Sequence, residues 1–248
     1  MNDRTVLVTG GSRGIGAAIV RRLVAAGDEV CFTWQKDERA ATALLEELRA
    51  RGGTVHAIQG DVADPEFAPR CFDTAGQLAH APIAALVNNA GITGRHGAFT
   101  DLPVEVMRRT FDVNVLGTMT FSQVAVRRWR AAGVQGRIVN LSSGAATLGS
   151  AGEYVHYAAS KAAIDTFTIG LGREVAGEGI RVNAVAPGTV YTDIHAAGGA
   201  PDRPARVVSR VPLKRIGEPD EIAAAVAWLL SGEASYVTAT VLRVAGGL

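Results

Sequence analysis

Short β-branched runs alternate with helical stretches from one end of this chain to the other. That alternation restricts the fold more than any other feature. TVLVT, beginning at Thr5, precedes the segment Gly14 to Ala26, where Ile15, Ile19 and Leu23 recur at four-residue spacing. EVCFTW, from Glu29, precedes Glu38 to Arg51, whose apolar face includes Ala41, Leu44, Leu45 and Leu48. VHAIQG, IAALVNN, GRIVNLSS and IRVNAVAPG supply four more strands, and TATVLRV, from Thr238, supplies another. The strands read as continuous apolar runs, as expected when helices cover both faces of a parallel sheet. The pattern predicts an α/β chain with a doubly wound sheet of about seven parallel strands and right-handed crossovers. His195 to Pro204, rich in Ala, Gly and Pro, reads as an insertion loop, because the alternation resumes after it.

Bulk properties exclude several classes. With 248 residues, 48% of them hydrophobic and 20% charged, the chain is sized for one core, so 1–248 is expected to be a single domain. A net charge of +1 with scattered basic residues leaves no nucleic-acid footprint and no membrane-binding face. The longest apolar run, Ala223 to Leu230, is too short to span a bilayer. No signal-peptide pattern precedes TVLVTGG, and Cys31 and Cys71 suit reduced structural thiols, so the cytoplasm is the expected location. The five His are dispersed without CxxC or HExxH spacing, so no metal is expected.

Two local patterns carry chemistry. Tyr157 and Lys161 stand four apart in HYAASKAAID, and on a helix such positions share a face. An ammonium ~4–6 Å from a phenol at an effective dielectric of ~20 favours phenolate by about 3–4 kcal/mol. That would bring the phenol toward neutral pH as a general acid/base. Tyr154 has Ala158 four residues on and lacks that cation; His156, next to Tyr157, is expected to face away. The second pattern is TGGSRGIG, Thr9 to Gly16, directly after the first strand. Glycines permit a tight turn and close backbone approach to a pyrophosphate, and the following helix N-terminus attracts phosphate. Gly10 to Gly14 also matches GxSxG, the hydrolase elbow, with His195 as the one late histidine. A serine hydrolase and a non-catalytic dinucleotide-binding sensor or scaffold therefore stand as alternatives to an oxidoreductase.

Taken together, these motifs resemble the short-chain dehydrogenase/reductase family over residues 4 to 247, in its sugar-dehydrogenase-like or 3-oxoacyl-carrier-protein-reductase-like branch. The resemblance implies a single Rossmann-type domain. In it Gly10, Ser12, Arg13, Gly14, Ile15 and Gly16 hold the cofactor, Asp61 and Val62 contact adenine, and Asn88, Asn89, Ala90 and Gly91 form a structural and cofactor motif. Pro187, Gly188, Val190 and Thr192 resemble the segment that holds the nicotinamide, with a lid at about 192–206. Ser143, Tyr157, Lys161 and Asn114 resemble the catalytic set. Asn114 would kink its helix and anchor a water reaching Lys161. Of the adjacent pair Ser142 and Ser143, neighbours along a strand face opposite ways, so only one can reach the site; the resemblance favours Ser143, because the family carries its active hydroxyl at the second of such a pair. The implied reaction interconverts an alcohol and a ketone or aldehyde.

The strand after the turn ends Thr33-Trp34-Gln35-Lys36 with no carboxylate before Asp37, so Arg13 and Lys36 are expected to favour NADP(H), with NAD(H) second. Pocket walls are expected from Gly144 to Glu153, Thr93 to His96 and the lid, without an Arg cluster for an anion. The substrate is expected to be small or medium-sized and neutral. Family members suggest a homotetramer, or a dimer, through helices that include Ala158, Ala159, Ala162 and Ala163 with the stripe Ile164, Phe167 and Leu171, and through the C-terminal strand.

Overall fold

The computed structural model of the chain describes residues 4–248; the first three residues of the expected 1–248 domain lie outside the described part. Seven strands form one sheet: β1 (Thr5–Val8), β2 (Glu29–Trp34), β3 (Val55–Gln59), β4 (Ile83–Asn88), β5 (Arg137–Leu141), β6 (Arg181–Pro187) and β7 (Val241–Val244). Their order is β3-β2-β1-β4-β5-β6-β7, and every pairing is parallel. Chain direction across the sheet reverses between β1 and β4. The cleft outside the carboxyl ends at such a switch point is where doubly wound sheets bind ligands.

The helices, in chain order, are α1 (Gly14–Ala25), α2 (Glu38–Ala50), α3 (Phe67–Leu78), α4 (Val104–Phe111), α5 (Thr118–Ala132), α6 (Ala145–Leu148), α7 (Val155–Val175), α8 (Ile194–Ala197), α9 (Arg203–Val207) and α10 (Pro219–Leu230). On one face, Ile19 and Leu23 of α1, Leu44 of α2 and Val226 of α10 pack on Val6, Val8 and Phe32. On the other, Phe72 of α3, Phe121 and Trp129 of α5 and Val175 of α7 cover Leu7, Leu86 and Ile138. Each fully buried side chain of this size contributes about 1.5–3 kcal/mol. Local chemistry sets the ends. The Asp37 carboxylate accepts from Ala40 N at 3.0 Å to start α2. Pro219 and a Glu218–Glu221 capping box start α10, and Gly133, at φ +66°, ends α5.

Three expectations need adjustment. The run from Thr238 becomes regular strand only at Val241, because Ala239, though its amide donates to Val182 O at 2.7 Å, sits at φ +58°, outside extended backbone. The segment 195–204 is not a plain loop: it carries the end of α8 and the start of α9, helices too short to leave a periodic signature. Ile164, placed on an intersubunit stripe, is fully buried against its own molecule. Between α4 and α5 the residues Asp112–Gly117 form a π-helical segment containing Asn114, which answers the expected kink.

Candidate active site

A cleft of about 1490 Å³ opens at the carboxyl ends of the strands. The glycine turn forms one end. Gly10, at φ +65°, donates from its amide to Thr33 Oγ1 at 3.1 Å, and its carbonyl accepts from Asn89 Nδ2 at 2.8 Å. A Cβ on Gly16 would lie 2.2 Å from that carbonyl, so only glycine lets α1 begin this close to the turn. The first amides of α1 have no intrahelical acceptor and face the cleft with the positive end of the helix dipole. Gly91 keeps the floor low: its Cβ would meet Asn114 Oδ1 at 3.3 Å and Lys161 Nζ at 3.4 Å. This donor-rich, carboxylate-poor cradle fits a dinucleotide diphosphate. Arg13, Lys36, Asp61, Val62, Ala90, Pro187, Gly188, Val190 and Thr192 line the same cleft, with Ser12, Gly14 and Ile15 of the turn.

At the other end, Ser143 follows β5 and Tyr157 lies in the first turn of α7, and both face the cleft. Their relation is held from beneath. Asn88 Nδ2 donates to Ser122 Oγ and to Asn140 Oδ1, both at 2.9 Å, and Asn140 Nδ2 donates to Thr168 Oγ1 at 2.9 Å. One buried string of polar groups thus ties β4 and β5 to α5 and α7. Ser142 points the other way from Ser143, and its hydroxyl donates to the Lys161 carbonyl at 3.3 Å. Ser143 Oγ accepts from Ala145 N at 3.1 Å and acts on the Tyr157 phenol.

Lys161 Nζ donates to the Leu141 carbonyl at 2.6 Å and sits 5.8 Å from the Tyr157 ring centroid. Burial lowers the Lys161 ammonium to about 8, with Asp165 opposing. Burial also raises the Tyr157 phenol above its ordinary value, opposed by hydrogen bonding from Ser143 and by the charge of Arg203. Burial thus sets the direction of the phenol's shift, with the Ser143 hydrogen bond and the Arg203 charge opposing it.

Asn114 is fully buried. Its carboxamide bridges both backbone groups of Ile92, at 2.9 Å each, and donates to Ser160 Oγ at 3.0 Å. That side chain is engaged as a clamp between the loop after β4 and α7. Asn88 lies below the cleft in the buried string, and its neighbour Asn89 is the residue that reaches the glycine turn. His156 does not line the cleft; its Nε2 lies behind Gly94.

Sequence reasoning missed three contributors. Tyr154, set aside for lack of a cation one turn on, meets Tyr157 edge-on at 5.2 Å and lies under the Arg203 guanidinium at 4.9 Å. Arg203 pairs with Glu153 at 2.9 Å, so the pocket wall is not free of arginine. Arg109 pairs with Asp61 at 2.6 Å and fixes that carboxylate beside Val62. A loop-to-lid ion pair leaves no short-range signal, although an Asp-Arg-Pro-Ala-Arg run flags charge in the lid. No hydrogen bond joins Ser12 to a histidine among the described residues, so the elbow reading gains no support. Far away, at the amino ends of the strands, His56 Nε2 and His80 Nδ1 lie 3.1 and 3.0 Å from Glu29 Oε1.

Comparisons with known proteins agree with this architecture. The family pattern described as Enoyl-(Acyl carrier protein) reductase matches residues 10–248. An uncharacterised oxidoreductase, YgfF, of Escherichia coli K12 is 46% identical, over 97% of this chain and 98% of its own. The L-rhamnose 1-dehydrogenase (NAD(P)(+)) of Azotobacter vinelandii is 39% identical, over 99% of this chain and 96% of its own. A blue fluorescent protein from a metagenomic library, crystallised with NADPH, superposes with a TM-score of 0.89 at 38% identity, covering 99% of this chain and 98% of its own.

Proposed function

The chain belongs to the short-chain dehydrogenase/reductase family of oxidoreductases, and we propose that it interconverts an alcohol with a ketone or aldehyde, using NADP(H) in preference to NAD(H). The observation that carries the reading is the convergence of Ser143 and Tyr157 on one cleft wall, with Lys161 one turn beyond and the glycine cradle opposite.

A bound nicotinamide coenzyme supplies or accepts the hydride. Ser143 holds the substrate oxygen toward Tyr157 and steadies charge developing on it. Tyr157 donates its phenolic proton to that oxygen in reduction and takes the alcohol proton in oxidation. Lys161, anchored on the Leu141 carbonyl, places positive charge beside the phenol and within reach of a ribose hydroxyl. Asn114 acts as a positioning residue through Ile92 and Ser160, and its Oδ1, which accepts one hydrogen bond, keeps a second acceptor site for a water reaching Lys161.

The coenzyme preference rests on charge. Arg13 and Lys36 are exposed, line the cleft and have no carboxylate partner among the described residues. The first acidic group after β2, Asp37, is engaged in capping α2. A 2′-phosphate satisfies two such cations; a ribose 2′-hydroxyl does not. The NADPH-bound structural relative supports the same choice. Cys31 and Cys71 are buried free thiols, both pushed up to about 12 by burial, which supports a reducing compartment such as the cytoplasm. One continuous sheet supports a single domain, and among the described residues no helix is long and apolar enough to cross a membrane. The half-exposed edge strand β7 and fully exposed Tyr236 support a homotetramer, which light scattering on the purified chain would read directly.

Initial rates over ketones and aldehydes with NADPH, and over alcohols with NADP+, test the activity. Tyr157→Phe should retain NADPH binding and lower turnover by about 10²–10⁴-fold. A variant within tenfold of wild type, or a tenfold preference for NAD(H) in kcat/KM, refutes the corresponding assignment.

A further inference from the structure

Beyond Tyr157 the cleft ends against a wall built around an ion pair. Arg203 donates from Nε at 3.0 Å and from Nη2 at 2.9 Å to the same oxygen, Oε2, of Glu153. Its Nη1 donates to Thr189 Oγ1 at 3.3 Å. The other carboxylate oxygen, Oε1, has no hydrogen bond among the described residues. The side chains are 12% and 23% exposed, so the pair is mostly enclosed yet still open to the cleft that both residues line. Two ring contacts, of 4.9 and 5.2 Å, carry the guanidinium by way of Tyr154 to Tyr157. The loop that delivers Glu153 is tightly folded: Gly149, Ser150 and Gly152 all have positive φ, and for Ser150 that conformation is costly.

Three kinds of substrate meet this wall differently. An anion meets an arginine whose charge Glu153 already offsets, and it meets that carboxylate as well. An apolar body strips water from two charges and returns no hydrogen bond, which costs free energy heavily in an enclosed site. A neutral hydroxyl can donate to the unused Oε1 and accept from the guanidinium edge, so it alone replaces the water it displaces.

Resting on the alcohol/carbonyl reading above, we propose that the substrate is a neutral polyhydroxylated compound, an aldose, ketose or polyol. A hydroxyl remote from the reacting carbon binds the Glu153–Arg203 pair, and these two residues determine specificity.

The test uses the full chain with NADP+ and NAD+. The panel contains aldoses and polyols, deoxy analogues lacking one remote hydroxyl, the matching sugar acids and sugar phosphates, and apolar cyclic alcohols including hydroxysteroids. Neutral polyols should give the highest kcat/KM, and loss of the bound hydroxyl should lower it about 10- to 100-fold. Glu153→Gln should compress that ratio toward one, with melting temperature and NADPH affinity confirming that the variant is folded. The deoxy comparison on wild type stands by itself if it is not. Faster turnover of apolar or anionic alcohols, deoxy analogues as good as their parents, or a ratio unmoved in a folded Glu153→Gln overturns this inference and leaves the oxidoreductase reading intact. Absence of turnover in every class, with NADPH still bound, overturns both.

Discussion

Replacing Gly16 with alanine perturbs the cofactor cradle at its tightest point. The new Cβ would stand 2.2 Å from the Gly10 carbonyl oxygen and 2.6 Å from Asn89 Nδ2, where real contacts essentially never fall below 3.0 Å. The carbonyl must therefore retreat by about 0.8 Å, against a hydrogen bond from Asn89 that holds it at 2.8 Å. Overpacking of this kind costs about 1–3 kcal/mol. For a chain of this size that lowers Tm by about 2–12 °C. The same displacement stretches a ~2.9 Å amide–phosphate bond to ~3.7 Å, which is no longer a hydrogen bond. Losing one charge-assisted bond raises the NADPH Kd about 10- to 100-fold. Fluorescence titration with NADPH and thermal melting read both effects. Gly76→Ala is the control, because nothing lies within 4 Å of its Cβ inside α3, and it should gain about 0.5–1 kcal/mol. A Gly16→Ala protein that binds NADPH within threefold of wild type and melts with it would refute the packing argument.

Further outcomes follow from the site and from the far end of the sheet. Ser143→Ala should lower kcat/KM by about 10²–10³-fold, while Ser142→Ala, which loses bonds to the Lys161 carbonyl and to the Asp165 side chain, should lose far less; equal losses would reverse the choice. Because burial raises the Tyr157 phenol despite Ser143 and Arg203, alcohol oxidation should keep climbing with pH through 9, and a plateau below pH 8 would contradict it. Glu29 is raised by burial, but the His80 amide and ring, the His56 ring and the Ala81 amide outweigh this and hold it at about 2. Its depressed folded value means the charged form contributes stability above the ordinary carboxylate pKa, and that contribution fades as pH falls toward 2. Glu29→Gln should therefore have a lower urea midpoint than wild type at pH 7 and converge with it near pH 2.

The strands were legible because burial on both faces demands unbroken apolar runs, and β2 was bounded to the residue. The glycine turn and the Tyr157–Lys161 pair were legible because each depends on neighbours within one turn of chain. What escaped depends on distance along the chain. An Asn-Asn doublet at a strand end does not say which member faces the buried string and which the turn, so both fell into one structural and cofactor motif, which the fold divides between Asn88 in the string and Asn89 at the turn. Helical spacing finds the cation next to Tyr157 but cannot weigh burial, which decides the direction of its shift. Tyr154 looked idle because its arginine comes from a lid 49 positions later.

The hydrogen-bonded string from Ser122 through Asn88 and Asn140 to Thr168 has a consequence for timing. Sliding β5 by one residue would press Val139 or Leu141 against Asn88 and orphan its amide. Alternative registers are thereby closed off in the folded protein, and the spacing between the serine after β5 and the tyrosine on α7 is set before any ligand arrives. Amide protons of β4 and β5 should accordingly be among the slowest to exchange. Movement on ligand binding should concentrate in the lid, leaving the preassembled wall at rest.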